Sequence, residues 1–145
     1  MKHTDMIVDG FFYSFHYVAK STAPDVDQEP LIFCIRPSQM SLNNFVGLNL
    51  HHLPVELREK LIMGMHKMKQ LISYPRVTFT EEELNSIVPG CKAFVREYNR
   101  KRVFDPVLIE NREIINYIYS DGRLREDKPS KTVIDFLLKY EANLH

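Results

Sequence analysis

The hydrophobic pattern of this chain changes its period at Pro54. Before that residue, apolar side chains alternate along residues 11–18, run without interruption along 31–36 as far as Pro37, and return along 45–50. Alternation and short apolar runs are typical of strands, because successive side chains of a strand point to opposite faces. Three such strands predict an antiparallel sheet or a small barrel in the first part of the chain.

After Pro54 the apolar residues recur at helical spacing. Proline suits the first turn of a helix, since its missing N–H would have no partner there. The pattern predicts an amphipathic helix that ends at Tyr74 and Pro75 and buries one stripe of side chains. The members of the stripe are Leu57, Leu61, Met65, Met68 and Ile72.

Helix signals continue between residues 80 and 101. Thr80 and Glu83 have the spacing of a capping box, in which each side chain bonds the backbone amide of the other residue. A short helix is expected to follow as far as Val88, where Pro89 and Gly90 break it. Residues 91–101 again predict a helix. Its expected inward side chains are Phe94, Val95 and Tyr98.

Residues 103–109 predict an extended segment that is interrupted at Asp105 and Pro106. Residues 111–119 fit a helix capped by Asn111 that carries Ile114, Ile115 and Ile118. The alternative there is a hairpin that turns at Asp121 and Gly122. We favour the helix. A last helix is expected over about residues 130–142 and would bury Val133, Ile134, Leu137 and Leu138.

The fold class that follows is α+β, with an N-terminal antiparallel sheet or small barrel and several helices after it. Its 145 residues are a common size for one domain. We expect residues 1–145 to form that domain, with 1–53 mainly strands and 54–145 mainly helices around the one extended segment at 103–109.

Charge and composition narrow the classes of partner. Nineteen basic residues balance nineteen acidic ones. Zero net charge argues against a general affinity for nucleic acid or for a membrane surface, and it makes self-association easier. No segment approaches 18 consecutive apolar residues, and no signal peptide is recognisable, so we expect synthesis in the cytosol and two free thiols, Cys34 and Cys91.

Enzyme signatures are scarce. Five glycines leave no phosphate-binding loop, and two distant cysteines leave no paired zinc ligands. We therefore expect no enzymatic activity, no cofactor and no metal. Two weaker patterns remain: an acidic run at residues 25–29 that lacks the glycine and the ligand number of a calcium loop, and a possible hydrolase metal site formed by His51, His52, Glu56 and His66, which matches no ligand template.

The most concentrated charge is basic and lies between residues 92 and 102. On a helix over 91–101, several of these side chains would share the outer face. The two short helices joined at Pro89 and Gly90 resemble a helix-turn-helix in outline. Such a face would contact phosphates and base edges, an acidic protein partner, or water alone. The candidate contact residues are Lys92, Arg96, Asn99, Arg100, Lys101 and Arg102.

The aromatic segment at 11–18 has two interpretations. Its rings would suit a stacking platform for single-stranded nucleic acid. No Lys or Arg lies among them, however, so packing explains them better. We expect one side of this strand to enter the core and the other to offer a docking surface. The rings belong to Phe11, Phe12, Tyr13, Phe15 and Tyr17.

One motif resembles a known family. Residues 45–58, FVGLNLHHLPVELR, follow the aromatic FYSF at 12–15 and the PLI at 30–32. This order is similar to a family of small tailed-bacteriophage proteins, in which a G-hydrophobic-N-hydrophobic-H-aromatic-L-P motif precedes a helix. His52 stands where the family has an aromatic residue. The resemblance covers about two-thirds of the chain. Gly47 also indicates a bulge or a close backbone contact.

The resemblance implies a virion-associated protein and brings no catalytic residues with it. The function expected is a structural component of the tail, the baseplate or the head–tail connector that acts through protein–protein contacts. Its partners would be other phage structural proteins or further copies of itself, with no membrane involved. It would lie in the virion, or in the cytoplasm of the infected host cell. The alternative is a phage-encoded nucleic-acid-binding or transcription-modulating protein that uses the basic 92–102 helix.

Overall fold

A computed structural model describes residues 2–18, 29–119 and 131–144 of the chain. Six antiparallel strands form one sheet in the order β1-β6-β2-β3-β4-β5. The predicted antiparallel sheet is therefore confirmed. The strands are β1 (Lys2–His3), β2 (Phe12–Tyr17), β3 (Leu31–Pro37), β4 (Asn44–Asn49), β5 (Val95–Asn99) and β6 (Val103–Ile109).

Helices follow the first four strands and confirm the α+β class. Short 3-10 turns connect several elements, at Leu50–His52, Leu71–Ser73, Cys91–Phe94, Arg100–Arg102 and Asn111–Glu113. The helices are α1 (Val55–Lys69), α2 (Glu81–Ile87), α3 (Ile114–Tyr117) and α4 (Lys131–Leu144).

The aromatic strand β2 divides its side chains between two cores, as its alternation predicts. Phe12 enters the core between the sheet and the helices, whereas Tyr13 and Phe15 enter a second core on the other face. We call this second core the aromatic cluster; its buried members are Ile7, Tyr13, Phe15, Ile32, Cys34, Phe45 and Tyr98.

The sheet curls tightly around the aromatic cluster. Strands β2 and β5 are three inter-strand spacings apart, which is about 14 Å in a flat sheet. The ring centroids of Tyr17 and Tyr98 are nevertheless only 5.2 Å apart, and those of Phe15 and Tyr98 only 5.6 Å. Curling thus buries most side chains on both faces of the central strands β2, β3 and β4, and the docking surface expected on one side of β2 is not there.

Helix α1 packs on the sheet through a face slightly different from the one predicted. Leu61 and Met65 are buried as expected, and Ile62 joins them. Met68 is 44% exposed, so its predicted burial is wrong. The buried positions follow the spacing 58, 61, 62 and 65, which turns the stripe away from Met68.

Helices α1 and α2 meet at a glycine. A Cβ atom on Gly64 would lie 2.2 Å from Cγ2 of Ile87, far inside van der Waals contact. Ile87 is β-branched and lies on a helix, where one χ1 rotamer dominates, so its side chain has little freedom to move aside. Gly64 therefore sets the distance between the two helices.

The capping box at α2 is confirmed. The hydroxyl of Thr80 accepts from the amide of Glu83, and the carboxylate of Glu83 accepts from the amide of Thr80. Three cations from separate elements also pair with the three glutamates of the first turn. The pairs are Arg36 with Glu81 at 3.0 Å, Lys92 with Glu82 at 3.3 Å, and Lys69 with Glu83 at 3.0 Å.

The helix predicted over 91–101 is wrong. Gly90 turns the chain with φ +91°, the turn Cys91–Phe94 follows, and Val95–Asn99 becomes the strand β5. Pairing with β4 decides the conformation, and Tyr98 stacks on Phe45 with centroids 5.5 Å apart. Tyr98 is buried as predicted, whereas Phe94 and Val95 are half-buried.

Irregular positions predicted in the strands are confirmed. The register between β2 and β6 shifts beside Asp105, which has φ +52°. The register between β3 and β4 shifts opposite Gly47. A Cβ atom on Gly47 would lie 2.9 Å from Cδ1 of Ile32, so the close contact expected at this glycine is also present.

The C-terminal expectations are met in part. Residues 111–117 are helical, and the three predicted isoleucines are buried. The Asn111 amide donates to the carbonyls of Leu71 and Tyr74 instead of capping the helix. The turn alternative at 121 and 122 lies outside the described residues. In α4, Val133 is buried, whereas Ile134 and Leu138 are 46% and 59% exposed, so their predicted burial is wrong. The side chain at 137 lies outside the description.

The replacement Gly64→Ala is expected to lower the free energy of unfolding by about 1–3 kcal/mol, because the new methyl group overlaps Ile87. This loss exceeds the roughly 1 kcal/mol that alanine gains over glycine in helix propensity. Urea unfolding followed by circular dichroism measures it. The exposed Lys67→Ala on the same helix is the control, and a Gly64→Ala protein more stable than that control would contradict the close approach.

The Glu83 carboxylate is expected to make stability depend on acid pH. Its pKa is lowered first by the hydrogen bond from the Thr80 amide and then by the one from Lys69. Its contribution is therefore present above the ordinary pKa near 4.5 and is lost as the pH falls through the lower folded-state pKa. Glu83→Gln should cost about 0.5–1 kcal/mol at pH 7 and nothing near pH 2.

Thermal unfolding across that pH range gives the comparison. The control is Asp105→Asn, since asparagine also tolerates the positive φ of this exposed residue. An equal cost of Glu83→Gln at both ends of the pH range would show that the carboxylate charge contributes nothing.

Candidate interaction surfaces

A buried arginine organises the junction between β4 and α1, within the motif at residues 45–58. The Arg58 side chain donates to the carbonyls of Leu50 and Leu53, both at 2.8 Å, and of Ile118 at 2.7 Å. A fourth bond reaches the carbonyl of His51 at 3.2 Å. Arg58 thus holds the 3-10 turn, the start of α1 and the end of α3 together, and its donors are used on the protein's own backbone.

Two further buried polar groups complete this junction. The Asn49 side chain caps the 3-10 turn by accepting from the His51 amide at 2.9 Å. The Tyr119 hydroxyl donates to the Glu59 carboxylate at 2.7 Å. Burial, together with that carboxylate, raises the pKa of Tyr119 well above its usual value. These contacts fix the angle between sheet and helix, which is a structural task.

The histidines of the suggested metal site do not converge. His52 stacks on Phe94 with centroids 5.9 Å apart, whereas Nδ1 of His66 accepts from the Ile72 amide at 3.2 Å near the other end of α1. Among the described residues, no three His, Cys, Asp or Glu side chains lie close enough to hold a metal ion. The acidic run at 25–29 lies outside the description except for Glu29.

Both cysteines are buried free thiols. Burial raises the pKa of Cys34 to about 12, and burial also raises the pKa of Cys91. A thiol of high pKa holds little of the reactive thiolate near neutral pH. Neither cysteine is suited to act as a nucleophile.

The six candidate contact residues between 92 and 102 do not share one helical face. Lys92 pairs with Glu82, and the guanidinium of Arg96 folds back onto the carbonyl of Ala93 at 2.6 Å. The other four lie together at the far end of β5. They comprise Asn99 and the turn Arg100–Arg102, which we call the basic turn.

The basic turn is anchored through its two arginines. Arg100 donates to the carbonyl of Ile7 at 3.0 Å and lies 5.2 Å from the ring centroid of Phe45. Arg102 donates to the carbonyl of Val18 at 3.1 Å. Within the described chain neither guanidinium meets a carboxylate, and the Lys101 side chain is exposed. Among the described residues, therefore, no carboxylate neutralises the positive charge of this turn.

The β3–β4 loop carries the most exposed apolar side chains among the described residues, and the sequence analysis missed them. We call residues 38–43 the hairpin tip. Met40 is 88% exposed and Leu42 is 100% exposed. In the sequence they look like ordinary core residues. The sequence feature that could have identified them is their position inside the polar turn SQMSLN.

Hydrogen bonds hold the hairpin tip in one conformation. The amide of Ser38 donates to the carbonyl of Asn44 at 3.0 Å, and the amide of Met40 donates to the Ser38 hydroxyl at 3.1 Å. Strand β5 supplies further bonds, because the Glu97 carboxylate accepts from the side chains of Ser38 and Asn44. The basic turn adds another at 2.8 Å, from the Arg100 amide to the Asn43 carbonyl. Met40 and Leu42 therefore project from an ordered loop.

The outer edge of β5 is partly occupied. Its even-numbered residues pair with β4, so the backbone groups of Val95, Glu97 and Asn99 point outwards. The Val95 carbonyl accepts from Arg96, and the Asn99 amide donates to the Tyr17 hydroxyl at 3.1 Å. Such occupied groups discourage the addition of a further strand.

Helix α4 presents a second exposed apolar pair. Phe136 faces α1, where its ring meets His66 edge to face with centroids 5.1 Å apart. Ile134 and Leu138, one helical turn apart, are exposed instead.

Comparison with family models, with curated proteins and with solved structures gave no match. Among the described helices, none has the length and apolar character that crossing a membrane requires.

The replacement Arg58→Lys is expected to lower the free energy of unfolding by about 2–4 kcal/mol. A single ammonium group cannot reach four carbonyls, and buried acceptors without donors are costly. The shift of the denaturant midpoint measures the loss. Arg112→Lys, on an exposed side chain, is the matched control. Equal midpoints for the two variants would show that the Arg58 bonds contribute little.

Proposed function

We propose that this protein is a structural component of a tailed-bacteriophage particle, in the tail, the baseplate or the head–tail connector. It acts there through protein–protein contacts. The observation that carries the proposal is the ordered hairpin tip with its two bare apolar side chains, Met40 and Leu42. Exposed apolar groups on a fixed loop favour docking, because binding then requires little further ordering.

The phage-like motif supports the same function. Gly47 allows β3 and β4 to approach closely, Asn49 caps the turn that follows, and Pro54 precedes α1. These three motif residues thus have structural roles within the sheet or at its junction with the helix. The resemblance to a virion-associated family therefore rests on residues that specify the architecture.

Nucleic-acid binding is the second candidate, and it has lost its main support. It relied on one helix that presents residues 92–102 together, whereas these residues form a turn, an edge strand and a second turn. The aromatic rings that would stack on bases are also largely inside the protein. The basic turn is the feature that keeps this candidate open.

Mass spectrometry of density-gradient-purified phage particles tests the proposed function. Peptides of this chain should occur in the particles in a constant ratio to the other structural proteins and should stay after a high-salt wash. The infected-cell lysate, analysed in parallel, is the control for expression. Abundance in the lysate with absence from the particles would contradict the structural role.

A further inference from the structure

The hairpin tip and the basic turn form one continuous surface. The bond from the Arg100 amide to the Asn43 carbonyl, 2.8 Å long, joins them directly. On one side lie the exposed Met40 and Leu42, and on the other lie three consecutive cations that meet no carboxylate in the described part of the chain. Apolar anchors beside uncompensated positive charge define the chemistry that a partner must complement.

We infer that this surface docks onto a protein partner that offers an apolar recess bordered by carboxylates. The inference deepens the proposed function and rests on it for the setting in which the partner is met. Met40 and Leu42 fill the recess, and the basic turn faces the carboxylates. Methionine and arginine are both enriched at protein interfaces.

Other classes of partner fit this surface less well. A phosphate backbone would attract the basic turn but would leave Met40 and Leu42 in water, and aliphatic side chains do not stack on bases as rings do. Segments that bind anionic bilayers usually cluster about four to eight Lys or Arg side chains, whereas the basic turn carries three. A partner strand would find the β5 edge partly occupied.

A titration of the purified protein tests the inference, with the methionine methyl groups labelled with carbon-13. The probe is a designed amphipathic helical peptide whose leucine face is bordered by glutamates; the matched probe carries lysine at each glutamate. The Met40 methyl signal should move with the acidic peptide and stay in place with the basic one. Leu42→Ser should weaken binding of the acidic peptide by about tenfold, as expected for the loss of one buried aliphatic side chain.

Two more variants sharpen the test. Lys101→Glu should weaken binding of the acidic peptide severalfold and remove most of the salt dependence of that binding, since it reverses an exposed charge of the basic turn. Leu138→Ser removes an exposed apolar side chain on helix α4 and should leave the affinity unchanged. Vesicles of phosphatidylglycerol and a short DNA duplex are the competing probes.

Each contrary outcome overturns the inference. Two of these outcomes concern the probes: equal binding of the two peptides, or preferred binding of vesicles or DNA. The other two concern the Met40 signal. It could move with protein concentration alone, which would report a second copy, or it could respond to no probe. Failure here is separate from failure of the proposed function. If the particles contain the protein but the Met40 methyl signal responds to no probe, the docking surface alone is refuted. A Met40 response from a protein absent from particles would refute the virion role alone.

Discussion

Stacking between β4 and β5 is the interaction on which the outer half of the structure depends. Phe45 and Tyr98 lie against each other across these strands, and Phe15 meets both rings edge to face. Together they bury the inner face of the curled sheet and hold β5 in register beside β4. Strand β5 in turn supplies Glu97 and leads into Arg100, and both residues bind the hairpin tip. The order of the tip thus follows from packing inside the sheet.

The same packing limits what the protein can do. Curling buries most side chains on both faces of the central strands β2, β3 and β4, so neither face offers a broad aromatic platform. The polar side chains that enter the interior are engaged with the backbone or with one another, as Arg58 is with four carbonyls and Tyr119 is with Glu59. The exposed apolar groups that remain lie on the hairpin tip, on α4 and at scattered surface positions. Exposed apolar side chains on an ordered loop are suited to contact with another molecule.

Local patterns in the sequence identified most of the elements. The alternation of residues 11–18, the capping box at Thr80 and the helix after Pro54 each depend on neighbours in the chain, and each is present. The helix prediction for residues 95–99 was wrong because the conformation of this segment depends on β4, about 50 residues away in sequence. A segment with Phe94, Val95 and Tyr98 fits helical spacing as well as it fits a strand, and only the partner strand decides between them.

The candidate surface could not be predicted from the sequence for a similar reason. The exposure of Met40 and Leu42 follows from the hairpin register, and their fixed position follows from bonds with Glu97 and Arg100, more than 50 residues further on. Nitrogen-15 relaxation of the Met40 and Leu42 amides in the free protein measures that order most directly. A preformed docking element requires order parameters close to those of β3 and β4, at about 0.8 or above. Values below about 0.6 at these two amides would show a flexible loop and would contradict a tip held by the packed sheet.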